Sequence, residues 1–125
     1  MTLPPDIAAK ILATPGVVVG NAKPTGEREP QSEKDFMAEV VAYAKRNGYM
    51  VYHTHNSRRS EPGFPDLVMI RGELLVAAEL KRSEKERPTA EQLNWMAAFA
   101  GVKRVRSMLW IPDDWPGIVQ TLGTN

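Results

Sequence analysis

The segment 63–81, GFPDLVMIRGELLVAAELK, is mostly apolar, yet it carries Pro65-Asp66 near its start and Glu79 and Lys81 at its end. These charged residues act together only if the chain folds back on itself. Arg71 and Gly72 read as a tight turn, which makes DLVMI and ELLVAAELK the two strands of a hairpin. With an even-numbered turn centred between Arg71 and Gly72, Ile70 faces Glu73, Val68 faces Leu75 and Asp66 faces Ala77. Side chains alternate along a strand, so Asp66, Glu79 and Lys81 then share one sheet face, with Asp66 and Glu79 as diagonal neighbours about 7–8 Å apart at their backbones. Two convergent carboxylates at a strand mouth suit one hard cation, since Mg²⁺ takes oxygen ligands at about 2.0–2.1 Å and keeps several waters. Lys81 stands one residue pair beyond. There an ammonium can orient or deprotonate a water and offset charge on a pentacovalent phosphate. The alternative is a turn aspartate at a strand start and a solvated strand end.

The flanking helices each set a polar group among apolar ones. SEKDFMAEVVAYAKRNG has a Ser cap, acids in its first turn, bases in its last and a terminating Gly, the signature of a helix. Phe36, Met37, Val40, Val41 and Ala44 form its buried stripe, and Glu33 projects from the centre of that stripe while Glu39 falls on the polar side. Glu33 is either an acid favoured by the helix dipole or a third carboxylate aimed at the cation. In TAEQLNWMAAFAG, Leu93, Trp95, Met96, Phe99 and Ala100 make the apolar face, and Gln92 sits among them. Thr89 and Gln92 are spaced as a capping box, which accounts for Gln92 as well as a place in a polar site does.

YMVYHT reads as a short strand, HNSRRSEPG as a polar loop, VRSMLWI as a further strand and DDWPGIVQTL as a last short helix. The order helix, three strands, helix, strand, helix makes a mixed α/β sheet flanked by helices. Residues 1–31 hold half of the ten prolines and read as an arm or linker, with Asp6–Ala13 as its one possible helix; residues 32–125 form the domain. Trp95 belongs to the core, and Trp110 and Trp115 pack the last strand and helix.

The chain has 125 residues, 42% hydrophobic and 25% charged, which bounds it to about one ordinary globular domain. No apolar run approaches a bilayer span, no secretory signal opens the chain, and the lack of cysteine suits a reducing cytoplasm and excludes thiol catalysis. A net charge of +1 does not advertise nucleic acid, but bases cluster in HTHNSRRS, KRSEKER and KRVR, and the fold can gather these on one surface. Arg58 and Arg59 precede the carboxylate hairpin, where they can hold phosphates. His53 and His55 alternate at a strand end; two imidazoles without a third ligand make a poor metal site, which leaves contact with the DNA backbone, a place at the catalytic rim, or simple exposure.

These residues resemble the core of the PD-(D/E)XK nucleases, with Pro65-Asp66 as P-D and Glu79-Leu80-Lys81 as E-x-K. More narrowly, SRRSEPGFPDL, AELKRSEKERPTAEQLNW and LWIPDDW look like a stand-alone virus-type VRR-NUC domain, over about Ser32 to Leu122. The resemblance implies a restriction-endonuclease-like αβββαβ core and hydrolysis of DNA phosphodiester bonds with Mg²⁺ or Mn²⁺. It implies catalytic roles for Glu33, Asp66, Glu79, Lys81 and Gln92. The metal would be held by Asp66, Glu79 and the Leu80 carbonyl, with Glu33 acting through water. Ser57, Arg58, Arg59, His55, Arg82 and Lys85 would contact DNA. Met37 departs from the pattern, since relatives often carry glutamine there. The resemblance further implies a homodimer acting on branched DNA such as a Holliday junction, in the cytoplasm of a bacterium or phage-infected cell. A nucleic-acid binding module that keeps the fold with little activity is the rival.

Overall fold

The computed structural model describes the backbone of Val17–Val19 and, in full, residues 28–55 and 61–123. Its elements are β1 (Val17–Val19), α1 (Glu33–Arg46), β2 (Met50–His53), β3 (Leu67–Arg71), β4 (Leu74–Leu80), α2 (Ala90–Ala100), β5 (Val105–Trp110), a 3₁₀ turn (Pro112–Asp114) and α3 (Trp115–Leu122). The fold is α/β, with a mixed sheet in the order β1-β5-β4-β3-β2 flanked by helices. β2, β3 and β4 form an antiparallel meander, and β5 and β1 continue it in parallel. β1 departs from the reading of residues 1–31 as arm or linker. A run of three valines suits a strand, but it is too short to stand out beside so many prolines. The possible helix Asp6–Ala13 lies outside the described residues.

Alternation divides the sheet's two faces. Leu67, Met69, Val76, Ala78, Leu80, Met108 and Trp110 point to one side, where they pack with Phe36, Val40 and Ala44 of α1 and Ile118 and Leu122 of α3. α2 covers the other side with Leu93 and Met96, and its Met96 carbonyl accepts a hydrogen bond at 2.8 Å from the buried Ser107 Oγ. Trp110 is core and Trp115 stacks edge-on against Tyr43, as the sequence suggests. Trp95 is half-buried in a cluster with Phe64 and Phe99.

The hairpin register differs from the expected one by two residues. Arg71 pairs with Leu74 and Ile70 with Leu75, so the loop is Gly72-Glu73. Gly72 has φ of 58° while Glu73 has no positive φ, the pattern of a II′ turn, whose twist matches the strands. An expectation centred one residue earlier would put Arg71 where φ must be positive, a conformation costly for any residue with a Cβ. A two-residue shift preserves faces, so the grouping of Asp66 with Glu79 survives.

At the hairpin end of the sheet, Arg71 ties separate elements together. Its guanidinium donates to the carbonyls of Asn47 (3.0 Å), Leu122 (3.2 Å) and Gly123 (3.3 Å) and lies 4.5 Å over the Tyr49 ring. One cation thus serves the carboxyl ends of both α1 and α3, where the helix dipoles favour positive charge. Among the described residues no helix is long and apolar enough to cross a membrane. Arg71→Ala is expected to lower unfolding free energy by about 2 kcal/mol in urea titration, and Arg71→Lys to recover less than half, because an ammonium cannot span three carbonyls. Unchanged stability in the alanine variant would sink this role.

Candidate active site

The opposite end of the sheet gathers the acids. β4 and β5 finish there, β3 begins there, and the first turns of α1 and α2 face it. The register, continued one step past Leu67 and Ala78, sets Asp66 directly across from Glu79 rather than diagonal to it. Glu79 is 1% exposed on the α2 side of the sheet. Asp66 accepts a hydrogen bond from the Leu80 amide at 2.8 Å. A residue in a strand directs its N–H and C=O to the same neighbour, so the Leu80 carbonyl also faces the β3 side. The next residue turns the other way: Lys81 donates its amide to the Trp110 carbonyl at 2.9 Å, which fixes the strand end. The Lys81 ammonium reaches Glu79 Oε2 at 3.4 Å.

Gln92 fills both of its expected roles at once. Its Oε1 accepts from the Thr89 amide at 2.8 Å, closing the capping box, while its Nε2 donates to Glu79 Oε2 at 2.7 Å. An amide has a separate donor and acceptor, and so serves helix cap and carboxylate together. Glu33 begins α1, reaches solvent, and lies within the electrostatic range of Asp66 and Lys81.

Burial is the leading cause that pushes the Glu79 carboxyl up, to about 8, followed by the charge of Asp66; Lys81 opposes both. Asp66 is also raised by burial, against the Leu80 amide, a hydrogen bond with Glu79 and the charge of Lys81. Partial burial and then Asp66 raise Glu33. When protonated, Glu79 shares its proton with Asp66. When ionised, its Oε1 is buried with no hydrogen-bond donor upon it. Three acids against Lys81 leave the pocket short of positive charge, and an orphaned carboxylate oxygen beside a second carboxylate is the environment a hard cation satisfies. Among the described residues, no three His, Cys, Asp or Glu side chains converge as a metal cage by themselves. The donors fit an ion that keeps most of its waters: Asp66, Glu79 and the Leu80 carbonyl are the groups that would hold it.

Comparison of the chain with protein-family models, with curated proteins and with solved structures finds no match in any of the three.

The remaining expected contacts divide. Arg82 is exposed but bound to Glu86, its amide at 2.6 Å and its Nε at 3.3 Å from Oε1. That amide is the main cause of the lowered Glu86 pKa. Lys85 is exposed nearby and His55 lies at the rim, its ring 4.1 Å from that of His53. Ser57, Arg58 and Arg59 lie outside the described residues. KRVR is a correction: it opens β5, at the end of the sheet away from the acids, so the three basic clusters do not share one surface. Parallel pairing of β4 with β5 dictates this, since both strands start far from the site.

Two positioning residues escaped the sequence reading. Gly63 has φ of 89°, and a Cβ there would sit 2.6 Å from the Gln92 amide nitrogen. The Pro65-Asp66 turn therefore packs backbone to backbone against the start of α2, which holds both walls of the site at a fixed spacing. Its signal was the Pro62-Gly63 pair just before the motif. Thr54 donates its hydroxyl to the Pro65 carbonyl (3.0 Å) and its amide to the Asp66 carbonyl (2.9 Å), tying that turn to β2.

Because Glu79 titrates higher folded than unfolded, the folded protein holds an extra proton between about pH 4.5 and about 8. Stability is complete below the lower value and falls as pH rises towards the upper one. In chelator, the melting temperature should therefore drop from pH 5 to pH 8, Glu79→Gln should flatten that slope, and Mg²⁺ should raise the melting temperature more at pH 8. Parallel slopes for the two proteins would refute the buried-acid assignment. Gly63→Ala should lower melting temperature and disrupt the Gln92–Glu79 contact, seen as a shifted Gln92 side-chain amide resonance; an unmoved resonance would show that the turn does not set the spacing.

Proposed function

We propose that the protein is a Mg²⁺- or Mn²⁺-dependent DNA endonuclease that hydrolyses phosphodiester bonds, with the restriction-endonuclease-like core and VRR-NUC character its motifs resemble. The single observation that carries this reading is the buried, unpartnered Oε1 of Glu79 beside Asp66, with Lys81 at 3.4 Å from the other oxygen. A bound divalent ion would supply Lewis-acid stabilisation of the phosphoryl oxygens and an acidified water. Asp66, Glu79 and the Leu80 carbonyl hold it, and Glu33 orients its water. Lys81 positions the attacking water and offsets the charge that develops on the phosphate. Gln92 holds Glu79 in its orientation, leaving the opposite oxygen open.

Substrate and assembly belong to the same reading. Arg82, Lys85 and His55, together with Ser57, Arg58 and Arg59, contact branched DNA. Paired incisions in a four-way junction need two such sites, which a two-fold homodimer supplies.

Incubation with labelled branched and linear DNA in Mn²⁺ tests this. Cleavage should favour the branched form and vanish in Asp66→Ala, and sedimentation under the same conditions should give a dimer. Lys81→Met should keep metal binding by calorimetry while single-turnover cleavage falls at least about a hundredfold. Cleavage indifferent to Asp66→Ala would reject the site. DNA binding without cleavage by the wild-type protein would favour the binding-module reading.

A further inference from the structure

Beside Asp66, on the side away from α2, a cleft of about 540 Å³ opens between the first turn of α1 and the end of β2. Its lining is chemically divided. Asp66 and Glu33 supply carboxylates; Lys34, Met37, His53, Thr54 and His55 supply the remainder. The two imidazoles are tilted by 58° with ring centroids 4.1 Å apart, and Met37 is half-buried against the core. Flat π-rings and a polarizable thioether offer surfaces on which another π-system lies well, and an ammonium beside them offers charge to a phosphate.

We propose that this cleft binds the base of one unpaired DNA nucleotide, next to the phosphate that meets Asp66 and Glu79. The location of that phosphate rests on the nuclease reading; the occupant of the cleft rests on its size and lining. The volume has room for one nucleotide, within the usual 300–1,000 Å³ or so of small-ligand sites. The cleft is also held in register with the acids. Thr54 lines it and spends its hydroxyl on Pro65 and its amide on Asp66, so a base seated against the histidines has a fixed offset from the Asp66 backbone. Within a duplex a base is stacked on both faces and cannot enter. At a fork or flap it is free to turn in, at little unstacking cost. Selectivity for forked or flapped DNA then arises in a single subunit from one base, without two coordinated incisions.

The test uses forked DNA carrying 2-aminopurine at each unpaired position in turn, titrated with the full chain in chelator. The same forks with an abasic site at the responding position are then followed by binding and by cleavage in Mn²⁺. One position should change fluorescence on binding, and an abasic site there should weaken binding about tenfold, the scale of one base stacked on a side-chain ring. His55→Ala should lose the same factor on the intact fork and show no further loss on the abasic one; His55→Phe should retain the discrimination. Forks that are cut equally well with and without the base would overturn the cleft and leave the nuclease reading intact. Base-dependent binding with no cleavage would keep the cleft and remove the nuclease reading. No responding position, or His55→Ala indistinguishable from wild type, also overturns the proposal.

Discussion

A carboxylate buried almost completely at the mouth of a sheet, one position before the end of β4, governs the arrangement around it. Glu79 cannot leave water without compensation, and the second acid beside it makes ionisation harder still. The surrounding residues answer that constraint separately: Gln92 donates to one oxygen, Lys81 brings positive charge, and the Leu80 amide holds Asp66 in place. None of them satisfies Oε1. The pocket answers this by holding a proton on Glu79 well above the usual carboxylate range. The proton and the cation proposed for this site would compete for one set of lone pairs.

The scaffold that holds this charge is built at the other end. Arg71 gathers three carbonyls from two helix ends and stacks on Tyr49, so the hairpin, α1 and α3 share one anchor far from the acids. Arg28 does something similar on the flank. It donates to Glu39 at 2.6 Å and to the Pro112 carbonyl at 3.3 Å, and its guanidinium lies over Trp115. Such contacts join elements distant in sequence, and they let the acid end stay electrostatically unsatisfied while the rest of the fold supplies stability. Gly63 and Thr54 carry that rigidity into the site, one by close backbone packing and the other by two hydrogen bonds to the turn before β3.

The sequence by itself determined the elements from α1 onwards and their faces. Ser32 as cap, acids then bases along α1, and the Thr89–Gln92 box each act over three or four residues, and period-two alternation put Asp66 and Glu79 on one side regardless of a two-residue error in register. The tertiary structure alone decided what depends on contacts between distant segments. It put β1 beside β5, sent KRVR to the end away from the acids, gave Gln92 a second partner in Glu79, and set the histidines across a cleft from α1 beside Asp66. Local propensity and alternation are encoded residue by residue, whereas the burial of Glu79, its unmatched oxygen and the cleft next to Asp66 exist only once several elements exclude water from the same place.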